Sequence, residues 1–115
     1  MHALSLLALL LPFVAADKHR QCDCMSWTQK SGWIHNPDLT HWVCHVYYKE
    51  VHYQSRFDKD TGRCVVDGEW KIKGQDWEDA CKEEGRDGYF ILDDQDNHVN
   101  LTIYKVGAAT GDCKY

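Results

Sequence analysis

The chain has 115 residues and a formal net charge of −5 at pH 7, from 13 Lys and Arg against 18 Asp and Glu. Proteins that bind nucleic acid non-specifically, and antimicrobial proteins that enter anionic membranes, draw much of their affinity from clustered basic side chains. This composition disfavours both classes, so we expect no nucleic-acid partner and no membrane insertion.

Residues 1–16 are predicted to be a signal peptide. Ala3 to Val14 form an apolar run that is too short to span a membrane. Val14-Ala15-Ala16 offers the small residues that signal peptidase accepts, which places cleavage after Ala16. Residues 17–115 are then expected to form a single domain, because no Pro-, Gly- or Ser-rich linker interrupts them.

Six cysteines follow this leader: Cys22, Cys24, Cys44, Cys64, Cys81 and Cys113. An even number of cysteines in a short secreted chain predicts three disulfides and an extracellular location. Many pairings are possible, and the sequence alone does not choose among them. The pairing we favour joins Cys22 to Cys113, which ties the two ends together, and then, for example, Cys24 to Cys81 and Cys44 to Cys64.

The first predicted elements are a strand and a helix. In the strand Cys22–Trp27, alternation places Cys22 and Cys24 on one face and Asp23 on the other. Asn36-Pro37-Asp38 predicts a helix start with Asn36 as the N-cap, and the helix is expected to end near Val51. Its apolar stripe comprises Leu39, Trp42, Val43, Val46 and Tyr47.

Short strands joined by turns are predicted between Tyr53 and Ile72, with turn chemistry at residues 59–62 and at Asp67-Gly68. A second helix is predicted from about Gln75 to Glu84, with Gly85 as a left-handed cap. The inner face of this helix carries Trp77, Ala80 and Cys81.

A hairpin is predicted at the end of the chain, from residues 89–92 and 98–106 across the polar turn at residues 93–97. In its second strand, Val99, Leu101 and Ile103 are expected to face the core. Asn100-Leu101-Thr102 is a glycosylation sequon on the opposite, solvent side, so Asn100 is a candidate glycosylation site. The element order predicts an α+β fold, an antiparallel sheet with two helices packed on one face and three disulfides.

Three histidines, His41, His45 and His52, are expected to form an exposed row on the first helix, opposite its apolar stripe. His41 and His45 have the spacing that lets two imidazoles reach one metal ion, but His52 is too far along the axis and no carboxylate lies at the next turn. A metal site is therefore not predicted. The remaining interpretations are binding through His41 and His45, a pH switch in mildly acidic fluid, or a solvated helix face.

No catalytic motif is found, and we predict neither an enzyme nor a cofactor. The acidic segments at residues 58–60 and 93–97 lack the Gly and Glu that an EF-hand requires, which predicts solvated turns. Disulfide bonding would leave no free cysteine nucleophile. Trp33, which has no periodic reason to be buried, and Tyr48, on the outer side of the first helix, are the candidate aromatic contacts.

The spacing of these features resembles a family. The features that carry the resemblance are Cys22 and Cys24 near the mature N-terminus, a helical Cys44, Gly62-Arg63-Cys64, Gly74-Gln75-Asp76-Trp77 leading to Cys81, and a last cysteine near the end. Through them the chain resembles the small secreted cysteine-rich proteins of filamentous fungi. Many of those proteins are treated as candidate effectors, and some are similar to killer-toxin-like α/β sandwiches. The resemblance implies a virulence-related protein that acts by binding, and it carries over no catalytic residue.

From the sequence we therefore expect a secreted, monomeric effector-like protein that binds a host extracellular protein or glycan and modulates the host or its defence. Two alternatives stay open: a toxin directed at competing microbes, and a ribonuclease-like or carbohydrate-binding secreted protein.

Overall fold

The computed structural model describes residues 18–48, 55–67 and 71–114. The strands are β1 (Lys18–His19), β2 (Gln21–Thr28), β3 (Gly32–His35), β4 (Ser55–Asp58), β5 (Arg63–Val66), β6 (Ile72–Lys73) and β7 (Ala108–Lys114). Helix α1 (Pro37–Val43) continues into a π-helical segment (Cys44–Tyr48), and α2 spans Gly74–Asp87.

Strand β2 organises the main sheet, which is antiparallel throughout. β7 pairs with β2 along one edge, and β3 and β5 pair with the two halves of its other edge. β4 completes the sheet beside β5, while β1 and β6 form a separate two-stranded pair. Because every neighbour of β2 depends on its register, this strand positions the residues on both faces of the sheet.

Helix α1 begins as its sequence predicts. The Asn36 side chain accepts a hydrogen bond from the Leu39 backbone N–H at 3.0 Å, and Pro37 occupies the first turn, where a missing N–H costs nothing. Leu39 and Val43 are fully buried, which confirms the inner stripe at these positions, but Trp42 is half-buried. The predicted end near Val51 lies outside the described residues.

Helix α2 is longer than predicted, and the cap predicted at Gly85 is wrong. Gly85 lies inside the helix and is buried, and the C-cap is Gly88, at φ 121°. A Cβ at Gly85 would lie 2.8 Å from Val106 Cγ2 and 3.2 Å from Ala109 Cβ. The glycine therefore serves the close approach between helix and chain and not a helix end.

The predicted C-terminal hairpin is confirmed only in its antiparallel pairing across the turn at residues 93–97, and not as two regular strands. Residues 89–106 form two isolated bridges, Tyr89 with Tyr104 and Leu92 with His98, in place of paired strands. The aliphatic residues expected to face the core are exposed instead: Val99, Leu101 and Ile103. The strand that fills this place is β7, six residues further on from Thr102, and the sequence analysis missed it.

Three disulfides hold the layers together, and the favoured pairing is confirmed. They join Cys22 to Cys113, Cys24 to Cys81 and Cys44 to Cys64. The bond from Cys24 fastens α2 to the centre of the sheet, and the Thr40 hydroxyl of α1 accepts the Cys24 N–H on the same face. The α+β fold with both helices on one face of an antiparallel sheet is therefore as predicted.

The core lies between this face and the helices. Trp77 is fully buried, as predicted, and its indole N–H donates to the Asp23 carbonyl at 2.9 Å. The turn predicted at residues 59–62 is present, closed by a hydrogen bond from the Gly62 N–H to the Asp58 carbonyl at 2.7 Å. The predicted signal peptide and the turn glycine Gly68 lie outside the described residues.

None of the helices in the described ranges is long and apolar enough to cross a membrane. Three disulfides in so small a chain fit an extracellular protein, because such bonds persist in oxidising compartments.

Candidate functional site

Two tryptophans stand side by side on the face of the sheet that is turned away from the helices. Trp27 of β2 and Trp33 of β3 are directly opposed in the antiparallel register, so their side chains share one face about 5 Å apart at Cβ. Their exposed fractions are 40% and 50%. Trp33 is thus exposed, as the sequence predicts, although it lies in a strand and not in a loop. We call Trp27 and Trp33 the tryptophan pair.

A buried ionic cluster lies on the same face, next to the tryptophan pair. Asp23 is 2% exposed; its carboxylate lies 2.5 Å from His35 Nδ1 and 3.0 Å from Arg63 Nη1. Asp112 of β7 lies 4.0 Å from Arg63 Nη2. This cluster links β2, β3, β5 and β7 across the outer face. It therefore holds the strands that carry the two tryptophans in place.

The histidines of α1 occupy a second region, and the expectation of a solvated row is wrong for His41. The His41 side chain is buried and stacks on Phe57 of β4, with ring centroids 4.2 Å apart and an interplanar angle of 5°. The helical wheel correctly placed His41 away from the apolar stripe, but β4 covers that side of the helix. His52 lies outside the described residues.

One carboxylate connects His41 and His45. Asp96 Oδ1 lies 2.7 Å from His41 Nε2, and Asp96 Oδ2 lies 3.5 Å from His45 Nδ1. We call His41, His45 and Asp96 the Asp96 bridge. It joins the helix to the loop at residues 93–97. The sequence predicts a solvated turn for this loop, and that prediction is wrong at Asp96. This loop residue is half-buried and has a positive φ of 63°, which Asp tolerates better than most residues.

The Asp96 bridge forms one wall of a cleft of about 470 Å³. The turn after β4 also lines the cleft, and there Lys59 Nζ lies 2.9 Å from Asp94 of the loop. The hydrogen bond to Asp94 and the charge of that carboxylate raise the pKa of Lys59. The loop at residues 93–97 is thus attached both to the helix and to the β4–β5 turn.

This cleft does not have the arrangement of a metal centre. Within residues 18–48, 55–67 and 71–114, no three His, Cys, Asp or Glu side chains are grouped so that they could hold an ion. All six cysteines are in disulfides, which removes thiolate as a nucleophile or ligand. What the region offers is one carboxylate that is hydrogen-bonded to the His41 ring and lies within ion-pair distance of the His45 ring.

Two further predicted sites have different outcomes. Tyr48 ends the π-helical segment, and its side chain lies outside the described part of the structure. Asn100 is exposed, and its side-chain oxygen accepts the Thr102 backbone N–H at 2.9 Å, which forms a local turn within the sequon.

If the sequon is used, the secreted protein will carry a glycan at Asn100. We expect the parent protein to migrate faster after endoglycosidase treatment, and Asn100→Gln to migrate at that faster position without treatment. Thr102→Ala, which removes the acceptor hydroxyl of the sequon and keeps Asn100, should give the same result. An untreated parent that co-migrates with both variants would contradict occupancy.

The sequence analysis missed Trp27, Phe57 and Asp96 as parts of these two regions. Trp27 had a usable signal: a short hairpin turn at residues 29–31 places it opposite Trp33. Phe57 and Asp96 had no local sequence signal, because they lie 16 and 55 residues from His41 along the chain and contact it only in the folded protein.

No protein-family model matches the chain, and neither the curated proteins nor the solved structures contain a match.

Proposed function

We propose that this protein acts outside the cell as a non-enzymatic binding protein of the effector type, and that the tryptophan pair contacts a host extracellular protein or glycan. The observation that carries the proposal is the position of two exposed indoles, directly opposed in register on the face of the sheet that the Asp23 cluster braces.

The tryptophan pair has the properties of a binding anchor. Tryptophan is among the residues that contribute most to protein interfaces, because one side chain buries a large area at little cost in conformational entropy. In a chain that already buries Trp77 in its core, two further indoles at 40% and 50% exposure represent apolar surface that water solvates poorly. A partner that covers both would recover that free energy.

The rigidity of the site also supports binding. β2 is held by disulfides at Cys22 and Cys24, and the Asp23 cluster braces its outer face. A contact surface that is already ordered loses less conformational entropy when its partner arrives. Such a scaffold suits a secreted protein that must bind in a protease-rich fluid.

Of the alternatives, carbohydrate binding is favoured by a specific observation. Aromatic rings that lie on one plane provide a stacking surface for sugar rings, and the turn beside them carries the hydroxyls of Thr28 and Ser31. A membrane-directed toxin is less favoured, because the net charge of −5 repels anionic lipid.

The test is a capture experiment with matched variants. Secreted, tagged parent protein is incubated with host extracellular fluid and, separately, with insoluble chitin and glucan. We expect the parent to retain a partner in one of these arms, and the double variant Trp27→Ala/Trp33→Ala to retain at least about tenfold less. Expression of the parent in host tissue should lower defence output, and the double variant should not.

Leu101→Ala is the matched control, because Leu101 is 85% exposed and lies outside the tryptophan pair. This variant should bind like the parent, and circular dichroism should show all three proteins folded. Failure of the parent to capture anything, or equal capture by the double variant, would contradict the proposal.

A further inference from the structure

In the Asp96 bridge, one carboxylate lies within ion-pair distance of two imidazoles and is hydrogen-bonded to one of them, His41. Asp96 Oδ1 receives His41 Nε2 at 2.7 Å, and Oδ2 faces His45 Nδ1 at 3.5 Å. Both imidazoles come from the helical segment, whereas Asp96 comes from the loop at residues 93–97. Any change in the strength of these contacts therefore changes how firmly the loop is attached to the helix.

We propose that the Asp96 bridge is a pH-sensitive latch that tightens the loop at residues 93–97 over the cleft in mildly acidic fluid. This inference does not depend on the proposed function. Histidine is the side chain that ordinarily changes its charge between about pH 5 and 8. Protonation of an imidazole adds the attraction between opposite charges to its contact with the ionised Asp96 carboxylate, so the contact becomes an ion pair.

The surroundings of His41 can accept a positive charge. Its ring lies parallel to Phe57 at a centroid distance of 4.2 Å, so a protonated imidazole would face the negative surface of the aromatic ring. His45 is about one-third exposed, so water also solvates its charge.

Other charged groups face the same cleft or belong to the same loop. Among the described residues they are Arg56 and Asp58 on β4, Lys59 and Asp60 in the following turn, and Asp93 and Asp94 in the loop. Lys59, whose pKa the neighbouring Asp94 raises, keeps its charge throughout this pH range. Protonation of the carboxylates would weaken the loop, since Asp93 accepts the backbone N–H groups of Gln95 and Asn97.

The sign of the effect therefore separates the two sources of pH dependence. Acidification from about pH 7 to about pH 5 tightens the loop if the Asp96 bridge dominates, and loosens it if the loop carboxylates dominate. The amides of Asp93, Asp96 and Asn97 report the loop directly, because all three donate hydrogen bonds within it.

Amide hydrogen exchange, measured by NMR and corrected for the intrinsic effect of pH, tests the proposal. In the parent protein, we expect the protection of these amides to rise about fivefold between about pH 7 and about pH 5, which is the upper end of what a partly exposed ion pair contributes. In Asp96→Asn, which keeps a residue that tolerates the positive φ, this rise should disappear.

Asp94→Asn is the matched control. It removes a carboxylate of the same loop together with the contact to Lys59, and it leaves the Asp96 bridge intact, so it should keep the rise of the parent. If Asp96→Asn does not fold, His45→Gln takes its place and should show a smaller rise than the parent. Protection that stays constant or falls in the acidified parent would overturn the proposal, as would a full rise in either bridge variant.

Discussion

Removal of the Cys24–Cys81 disulfide should lower the free energy of unfolding by about 4 kcal/mol. The bond spans 57 residues of sequence, and in the chain-entropy model a cross-link over that distance restricts the unfolded chain strongly. Both cysteines are fully buried, so the variant Cys24→Ala/Cys81→Ala also loses packing between α2 and the sheet. Typical domains have a free energy of unfolding of about 5 to 15 kcal/mol in total, so this loss is a large share of it. Urea denaturation of the secreted protein measures the difference.

The disulfide between Cys44 and Cys64 provides the comparison. It spans 20 residues, for which the same model gives about 3 kcal/mol. The double alanine variant at Cys44 and Cys64 should therefore be destabilised, but less than the variant at Cys24 and Cys81. If both pairs could be removed at a cost below about 1 kcal/mol, the disulfides would not be what stabilises this small domain.

The second large effect is expected at Arg63. Asp23 is 2% exposed and Arg63 is 17% exposed, with 3.0 Å between carboxylate oxygen and guanidinium nitrogen. Arg63→Met leaves the Asp23 carboxylate buried without this cation, and the loss of one partner from a buried ion pair costs about 3 to 5 kcal/mol. Asp23→Asn in the same background should recover part of that loss, because it removes the uncompensated charge. Thermal and urea unfolding of the single and double variants give the values.

Arg56→Met is the control, because Arg56 forms an ion pair with Asp67 one strand away. Both partners of that pair are more than half exposed, and exposed pairs contribute about 0 to 1 kcal/mol. Equal destabilisation by Arg63→Met and Arg56→Met would show that burial of the Asp23 cluster has no energetic consequence.

The two candidate regions lie on different parts of the fold and have different physical characters. The tryptophan pair is apolar, exposed and placed on strands that disulfides and the Asp23 cluster hold rigid. The cleft beside the Asp96 bridge is lined by charged groups and is closed partly by a loop. A rigid contact surface and a titratable loop are compatible within one secreted protein, since changes at the loop need not disturb β2.

Local sequence signals predicted the features that depend on neighbouring residues. The cap at Asn36 and the turn at residues 59–62 are encoded within a few positions, because capping and turn chemistry act over that range. The favoured cysteine pairing also agreed with the structure. It depended on two simple expectations, that the chain ends are tied together and that the sheet is bonded to the helices.

The alternation of apolar and polar residues led to a wrong prediction near the C-terminus, where the alternating segment does not form a strand of the sheet. Residues 99–103 alternate as a strand should, yet Asn100 turns back on Thr102, and the place beside β2 is taken by β7, whose Ala, Gly and Thr residues give little strand signal. Gly85 was also misread from a local signal, because a glycine near the end of a helical pattern usually caps the helix. Only the packed structure shows that the chain at Val106 and Ala109 passes too close for a side chain there.

The sequence by itself determined the α+β class, the three disulfides expected from an even cysteine count, and the first helix with its cap. Tertiary structure alone decided that Asp23 is buried with Arg63 and His35, and that Asp96 meets His41 and His45. The physical reason is range: caps, turns and alternation are set by residues a few positions apart, whereas these contacts join segments up to 55 positions apart and exist only once the layers have packed.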